Sequence, residues 1–384
     1  MLRGFNLLSF LIKNMEKSTI EVKRQVKKIG LGKKVAVAMS GGVDSSVVAW
    51  MLKQQGYEVE GFFLRLKFPD CALLNWRESE GRAYLAAKTL GIPIHTLNFS
   101  QEFQQKVWNP FWRNYRKGLT ANPCPTCNPQ IKFGSLLRKV CELGFDYLAT
   151  GHYVRLERGK NSLELKRGVD GNKDQSYFLY RLLPASLPFL KFPLGDFKKD
   201  QIKKMAQKIF PNRLYRVSES QGLCFAQGEE FKELAQKILP QKTGIVRDEK
   251  GQKVGEHRGV WFFTEGQRSG IGNIYSEGKP LYVVKKDQAK NEIIVTNSVD
   301  SPSLYSKFCL VQKINWLEKS VKKEFTGKVQ IRYGSESVNA RIKLLSKQKV
   351  RVIFDRPQRA ITPGQSAVFY RDNQVLGGGE ITIM

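Results

Sequence analysis

Val35-Ala36-Val37-Ala38-Met39-Ser40-Gly41-Gly42-Val43-Asp44-Ser45-Ser46-Val47-Val48 holds a strand, a tight turn and the start of a helix. The run 35–39 is unbroken and apolar. Val43, Val47, Val48, Met51 and Leu52 then recur at helical spacing. Gly41 and Gly42 let the backbone approach a ligand closely, and the unpaired N–H groups of the helix start point outward, so the junction suits a phosphate. A lone Gly-Gly would be an ordinary turn. Four small or hydroxyl positions with one acid at the same junction select nucleotide phosphate instead. There is no Gly-x-x-x-x-Gly-Lys-Ser/Thr, so no lysine within the loop grips terminal phosphates. Asp44, as a first-turn acid, is favoured there by the helix dipole.

The string resembles the PP-loop of ATP pyrophosphatases, a resemblance that implies binding of the leaving pyrophosphate, transfer of AMP to a substrate oxygen, and a place for Asp44 near Mg²⁺ or the pyrophosphate. Outward from it, strand and helix patterns alternate. Tyr57–Leu64, Pro93–Phe99 and Asp146–Thr150 read as strands, and 76–90, 101–117 and 131–143 as helices. Phe103, Val107, Phe111 and Tyr115 fall four apart. This alternation predicts an α/β fold with a doubly wound parallel sheet. Ligands then gather at the strand C-termini, where the phosphate loop and Gly151 both fall. Beyond about residue 220 the runs shorten. Trp261–Thr264, Leu281–Lys285 and Ile293–Thr296 read as strands of a small β-rich domain. Phe308–Val311, Gly327–Tyr333, Val338–Leu345, Val350–Phe354, Ala367–Tyr370 and Glu380–Met384 read as a C-terminal β-barrel. The expected divisions are an extension over 1–29, a catalytic domain over 30–220, a central domain over 221–298 and the barrel over 299–384.

Lysine and arginine number 64 against 35 acids, a net charge of +29. Residues 1–34 hold nine basic and two acidic side chains, so the surplus persists without them. Such a chain suits a polyanion. The 15 basic and seven acidic residues of 299–384 give the barrel a share of that binding. No apolar run reaches the roughly 18 residues of a membrane span. Residues 1–29 read either as a targeting segment or as a start-site extension, Met15 offering a later start; they are poor in Arg and Ser for a transit peptide. Six cysteines are too few for a disulfide scaffold of this length, so a reducing, cytoplasmic setting is expected. Cys71, Cys141 and Cys309 read as packing residues.

Asn122-Pro123-Cys124-Pro125-Thr126-Cys127 lies between two helices, and its prolines are expected to keep it out of helix. A Cys-x-x-Cys there is redox-active, half of a metal site, or two small residues. With no second Cys-x-x-Cys and three histidines in the chain, structural zinc is disfavoured. Cys224, beside Leu223 and Phe225, reads on its pattern alone as a candidate apolar cysteine.

Taken in order, these segments resemble the tRNA-specific 2-thiouridylase family. The blocks are 40–46, 55–61, 122–133, 149–153, 172–178, 219–225, 255–259, 266–272, 282–287 and 362–370. The resemblance implies a tRNA-uridine 2-sulfurtransferase. ATP converts the 2-carbonyl oxygen of the wobble uridine to an adenylate, sulfur replaces it, and AMP and pyrophosphate leave. It implies Cys224 as persulfide carrier and Cys127 as its partner in a transient disulfide. Ala38, Met39, Ser40, Gly41, Gly42, Val43, Asp44, Ser45, Leu64 and Gly151 match ATP-site positions. Asn122, Pro123 and Cys124 match the target-base site. His152, Lys173, Asp174, Gln175, Arg332, Tyr333 and Gln365 match tRNA-contacting positions. Structural alternatives stand beside these: His152 as a cap on a strand end, Arg332-Tyr333 as barrel surface. ATP, Mg²⁺, tRNA and a sulfur-donor protein are the implied ligands and partners, and basic loops are expected to lower the thiol pKa values.

Many members carry Asp where this chain has Cys124, and a thiol with a pKa of about 8.5 is a poor general base at neutral pH. Cys124, Cys127 and Cys224 therefore also raise the alternative of an iron–sulfur cluster, although full thiolate ligation of a cubane takes four cysteines. Two other classes compete: a PP-loop ligase acting on a small metabolite, which needs neither a basic barrel nor paired cysteines, and a non-catalytic RNA-binding protein, against which the intact 40–46 loop argues.

Overall fold

In the computed structural model, which describes residues 30–66, 76–160, 162–210, 224, 228–268 and 280–382, β1 (Lys34–Ala38) lies at the centre of a five-stranded parallel sheet. The order is β3 (Ile94–Asn98), β2 (Glu58–Arg65), β1, β4 (Tyr147–Ala149), β7 (Leu190–Lys191). All four pairings are parallel. Val35 and Val37 belong to one core with α1 (Val43–Gln54), α2 (Trp76–Leu90) and α5 (Lys199–Ile209). Ala36 points into the other, with Leu136, Val140 and Tyr177. A strand whose successive side chains enter two cores is apolar without alternation, which explains the unbroken run. The strand order reverses between β1 and β4, the crevice where such sheets bind ligands.

A helical run over 100–116, α3, contains a π-helical stretch, Gln104–Trp108. It buries Phe103, Val107 and Phe111 as the four-residue spacing predicts, and Trp112 stacks on Phe231 of α6 (Gly228–Ile238) at 5.9 Å. A second run over 124–142, α4, begins with a helical turn at Cys124–Cys127. That corrects the expectation of a non-helical Cys-x-x-Cys. Pro125 sits in the first turn, where its missing N–H costs nothing.

The central sheet is ordered β10 (Tyr282–Asp287), β11 (Glu292–Thr296), β8 (Gly244–Asp248), β9 (Lys253–His257). The expected strand at Trp261–Thr264 is instead a 3₁₀ turn over Val260–Phe262, entered through Gly259 at φ 145°. In the C-terminal part, β12 (Tyr305–Trp316), β15 (Lys349–Arg359), β14 (Val338–Ser346), β13 (Glu324–Gln330), β16 (Ser366–Arg371) and β17 (Gln374–Thr382) form a ring closed by β12–β17 pairing. A hairpin from the sheet domain, β5 (Val154–Arg158) and β6 (Leu163–Arg167), joins β17 at Gln374↔Lys166.

The seam between sheet domain and barrel is polar and buried. Asp174 accepts from Arg167, from the Gly168 and Ser176 amides and from the Ser176 hydroxyl, while Arg167 lies 3.7 Å over the Tyr370 ring. Tyr177 Oη donates to Ser366 O at 2.9 Å and accepts from Ser366 N at 3.2 Å. Tyr177→Phe strands both Ser366 backbone groups, so guanidinium unfolding should show a loss of about 1–3 kcal/mol. An unchanged midpoint would remove this seam from the account of stability.

Candidate active site

The phosphate loop is shaped from both sides. Gly41 has φ 78°, and a Cβ there would fall 2.1 Å from Ser79 O of α2. Arg82 Nε donates to Gly41 O at 3.1 Å. Ser45 Oγ accepts from Ser40 N at 3.2 Å and donates to Gly42 O at 3.1 Å, and Ser46 Oγ donates to the same carbonyl. Gly42, the N-cap of α1, offers no side chain to the first N–H groups, and this leaves the dipole end for an anion. Ala38 and buried Met39 end β1; Val43 and Leu64 are half-buried beside it. Gly151, after β4, faces the loop: a Cβ there would stand 3.0 Å from Asp44 Cβ and 3.2 Å from Ser45 N. These matched positions thus share one crevice.

Asp44 is an acid where an anion must bind. Lys199 Nζ lies 2.7 and 2.8 Å from its two oxygens, and Tyr153 Oη donates to Oδ1 at 2.8 Å. Lys199 is brought in by α5, whose first residue it is; its own amide donates to Asp170. The loop holds no lysine, yet the fold supplies one from 155 positions away. Sequence reasoning missed it, because one lysine inside Phe197-Lys198-Lys199-Asp200 does not stand out in so basic a chain.

Two of the three thiols implied in the chemistry lie in the helical turn that opens α4. Cys127 is buried and Cys124 half-buried; burial pushes both thiols up to about 12. Cys224 is exposed, and its thiol too is raised, by desolvation. Cys224 interacts electrostatically with Cys124 and Cys127, and Lys132 of α4 draws all three down without offsetting burial. The expected lowering is therefore outweighed in the free protein. Lys132 also acts on His152, whose imidazole burial holds well below its usual value, neutral at pH 7. The His152 Nδ1 is 2.7 Å from Thr150 Oγ1, and its ring contacts Phe133 and Phe192. His152 directly follows Gly151 in the chain.

The remaining matched residues divide. Tyr333 is exposed, packs tilted against Phe178 with ring centroids 4.4 Å apart, and feels the charges of Asp174, Lys173 and Cys124. Arg332 is exposed and donates to Thr362 Oγ1 at 3.1 Å. Asp174 is buried in the seam, and Gln175 accepts from Tyr153 N, so both side chains serve the fold here. Gln365 Nε2 donates to Thr120 O at 2.8 Å. Asn122 Oδ1 accepts from Cys124 N at 3.0 Å, and Pro123 is the buried cap of the helical turn. Among the described residues no three His, Cys, Asp or Glu side chains are grouped to hold a metal ion. The three thiols thus do not make a cluster's ligand set. No helix among the described residues is long and apolar enough to cross a membrane.

Comparison with known proteins adds three matching family profiles: a "tRNA methyl transferase HUP domain" over 33–228, a "tRNA methyl transferase PRC-barrel domain" over 232–297 and an "Aminomethyltransferase beta-barrel domain" over 306–381. The chain is 40% identical over 364 residues to the tRNA-specific 2-thiouridylase MnmA of Tolumonas auensis, covering 91% of this chain and 96% of that one. It is 40% identical over 368 residues to the Escherichia coli protein of the same name, with the same coverage. Among solved structures, the U34-tRNA thiolase NcsA of Methanococcus maripaludis with its [4Fe-4S] cluster is similar at 17% identity and a TM-score of 0.37, over 61% of this chain and 74% of that one.

Two outcomes follow from the geometry. Replacing Lys199 by Met should weaken binding of inorganic pyrophosphate about tenfold in calorimetry, since a charge-assisted contact is lost beside the loop; undiminished affinity would contradict the pairing's role. Thiols near 12 are protonated at neutral pH, so more thiolate forms at each step upward. Iodoacetamide should label Cys127 in the free protein at a rate rising about tenfold per pH unit from 7 to 9, with no plateau. A plateau below pH 9 would show an activated thiolate at rest.

Proposed function

This chain belongs to the family of tRNA-specific 2-thiouridylases, and on that premise we propose how its residues carry out ATP-dependent thiolation of the wobble uridine. It is a tRNA sulfurtransferase built on a PP-loop sheet. The uracil 2-carbonyl oxygen attacks the α-phosphorus of ATP, and the bond to pyrophosphate breaks. The uncapped N-terminus of α1 and Lys199 receive the departing charge. Mg²⁺ would be held by Asp44 with phosphate oxygens, once Lys199 yields, and would neutralise charge on the polyphosphate.

Sulfur arrives on Cys224 as a persulfide, loaded by a sulfur-donor protein in the cytoplasm. The Cys127 thiolate attacks the inner sulfur, a Cys127–Cys224 disulfide forms, and hydrosulfide leaves. Hydrosulfide adds to the activated C2, and AMP departs with the former carbonyl oxygen. An external thiol must reduce the disulfide before the next turnover. The electron count closes: the persulfide sulfur is reduced as two cysteines are oxidised. Cys124 lies in the same cluster as a base-site residue, not as the general base, since burial keeps its thiol protonated.

Division of labour follows the architecture. The domain over 30–220 holds ATP and the thiol loop, 221–298 supports that loop, and the barrel over 299–384 binds tRNA through Arg332 and Tyr333, with Lys173 and His152 across the seam. The observation that carries the reading is the phosphate-loop crevice, where the uncapped start of α1, Gly151 and the Asp44–Lys199 pair meet, with Cys124 and Cys127 under the electrostatic influence of Cys224 and Lys132. Replacing Cys224 by Ser should abolish thiolated wobble nucleoside in mass spectrometry, at least a hundredfold down, while ATP affinity stays within about twofold. Thiolated product from that variant would remove Cys224 from the mechanism.

A further inference from the structure

Thr120 lies in the connector between α3 and α4, two residues before Asn122 and four before Cys124. Its polar atoms are bonded to the other two parts of the chain. The amide donates to Pro363 O at 3.0 Å. The carbonyl accepts from Gln365 Nε2 at 2.8 Å. The hydroxyl lies 3.3 Å from Thr264 Oγ1 and accepts from Lys286 Nζ at 3.2 Å. Pro363 and Gln365 belong to the barrel, Thr264 and Lys286 to the central part.

The grip is costly to build, which marks it as more than incidental. Lys286 is almost wholly buried, donates also to Phe263 O at 2.9 Å, and is 3.8 Å from Glu265. Glu265 Oε2, buried, has no hydrogen-bond partner. A desolvated ammonium that is only loosely paired is expensive, and its two best bonds fix Thr120 and the turn under it. Gly364, at φ 90°, is pressed against the same spot: a Cβ there would fall 2.9 Å from Leu119 Cβ and 3.1 Å from Thr120 N. Upstream, Gln288 Nε2 donates to Arg116 O. Downstream only Ala121, Asn122 and Pro123 separate Thr120 from Cys124, and the Asn122–Cys124 bond and the proline stiffen that step.

We propose that Thr120 is a positioning residue for sulfur transfer, through which the barrel and the central domain set the place of the loop carrying Asn122, Cys124 and Cys127. Gln365 then acts on that loop and not solely on tRNA. A rigid link from the tRNA-binding barrel to the thiols lets tRNA seating change the thiol loop without touching it. The proposal rests on the thiol-loop assignment above, so its test carries a readout independent of activity.

The full chain is compared with Thr120→Val, Thr120→Ser and Gln365→Leu. Thr120→Val removes the hydroxyl at constant shape. Single-turnover thiolation should fall about tenfold, with tRNA and ATP dissociation constants within about twofold of wild type, and Thr120→Ser should restore the rate. Without tRNA, amide hydrogen exchange over 121–127 should be faster in Thr120→Val and Gln365→Leu than in wild type. A wild-type rate in Thr120→Val, a tRNA affinity that falls in step with the rate, or unchanged exchange in both variants would overturn the proposal. If Thr120→Val does not melt cooperatively, exchange in Gln365→Leu alone decides. A wild-type chain that never thiolates defeats the proposed function, while the exchange result still judges the link.

Discussion

The phosphate loop places a carboxylate at the spot where a polyphosphate must sit, and the Lys199 ammonium makes that placement tolerable. A helix N-terminus attracts anions, but Asp44 in its first turn repels them. Lys199, 2.7 Å away and nearly buried, cancels that charge in the free protein. The pair is only partly screened, because the carboxylate is about one-third exposed and the ammonium is not. Much of the sheet domain follows from this contact. α5 must run across the sheet so that its first residue reaches the loop. Tyr153 must lie under Asp44. Gly151 must lack a side chain so that β4 can close on α1.

The thiols obey the opposite logic. Where the loop is held ready for charge, the cysteine cluster is held away from it. Desolvation keeps Cys124 and Cys127 protonated, and Lys132 only moderates this. A buried, protonated thiol is inert until the site is rearranged or its surroundings become more polar.

Much of this was legible in the sequence for reasons of period and composition. The unbroken 35–39 run and the 43–52 helix were read because a buried parallel strand and an amphipathic helix leave different periods, and α2 at Trp76–Leu90 appears where its pattern places it. The hairpin β5–β6 carried a signal that went unread: Val154-Arg-Leu-Glu-Arg and Leu163-Glu-Leu-Lys-Arg alternate with period two around Gly159. Barrel strands such as β12 ran far beyond Phe308–Val311, since exposed barrel faces are polar and interrupt an apolar run. The helical turn at Cys124–Cys127 was hidden by prolines that are harmless in a first turn. Lys199 and Thr120 carried no local signal, and Lys132 had one only as part of the 122–133 block. Their importance comes from long-range placement, and a lysine among 64 cations or a threonine in a connector looks like any other.

The same placement explains why exposed positions and structural positions are interleaved. Asp174 and Gln175 lie inside the seam, whereas the barrel's Tyr333 is exposed. A carboxylate on an RNA-facing surface would oppose phosphate binding. Buried against Arg167 and two amides, Asp174 is removed from that field and fixes the turn that presents Lys173. Asp174 and Gln175 thus set the geometry of the surface around them.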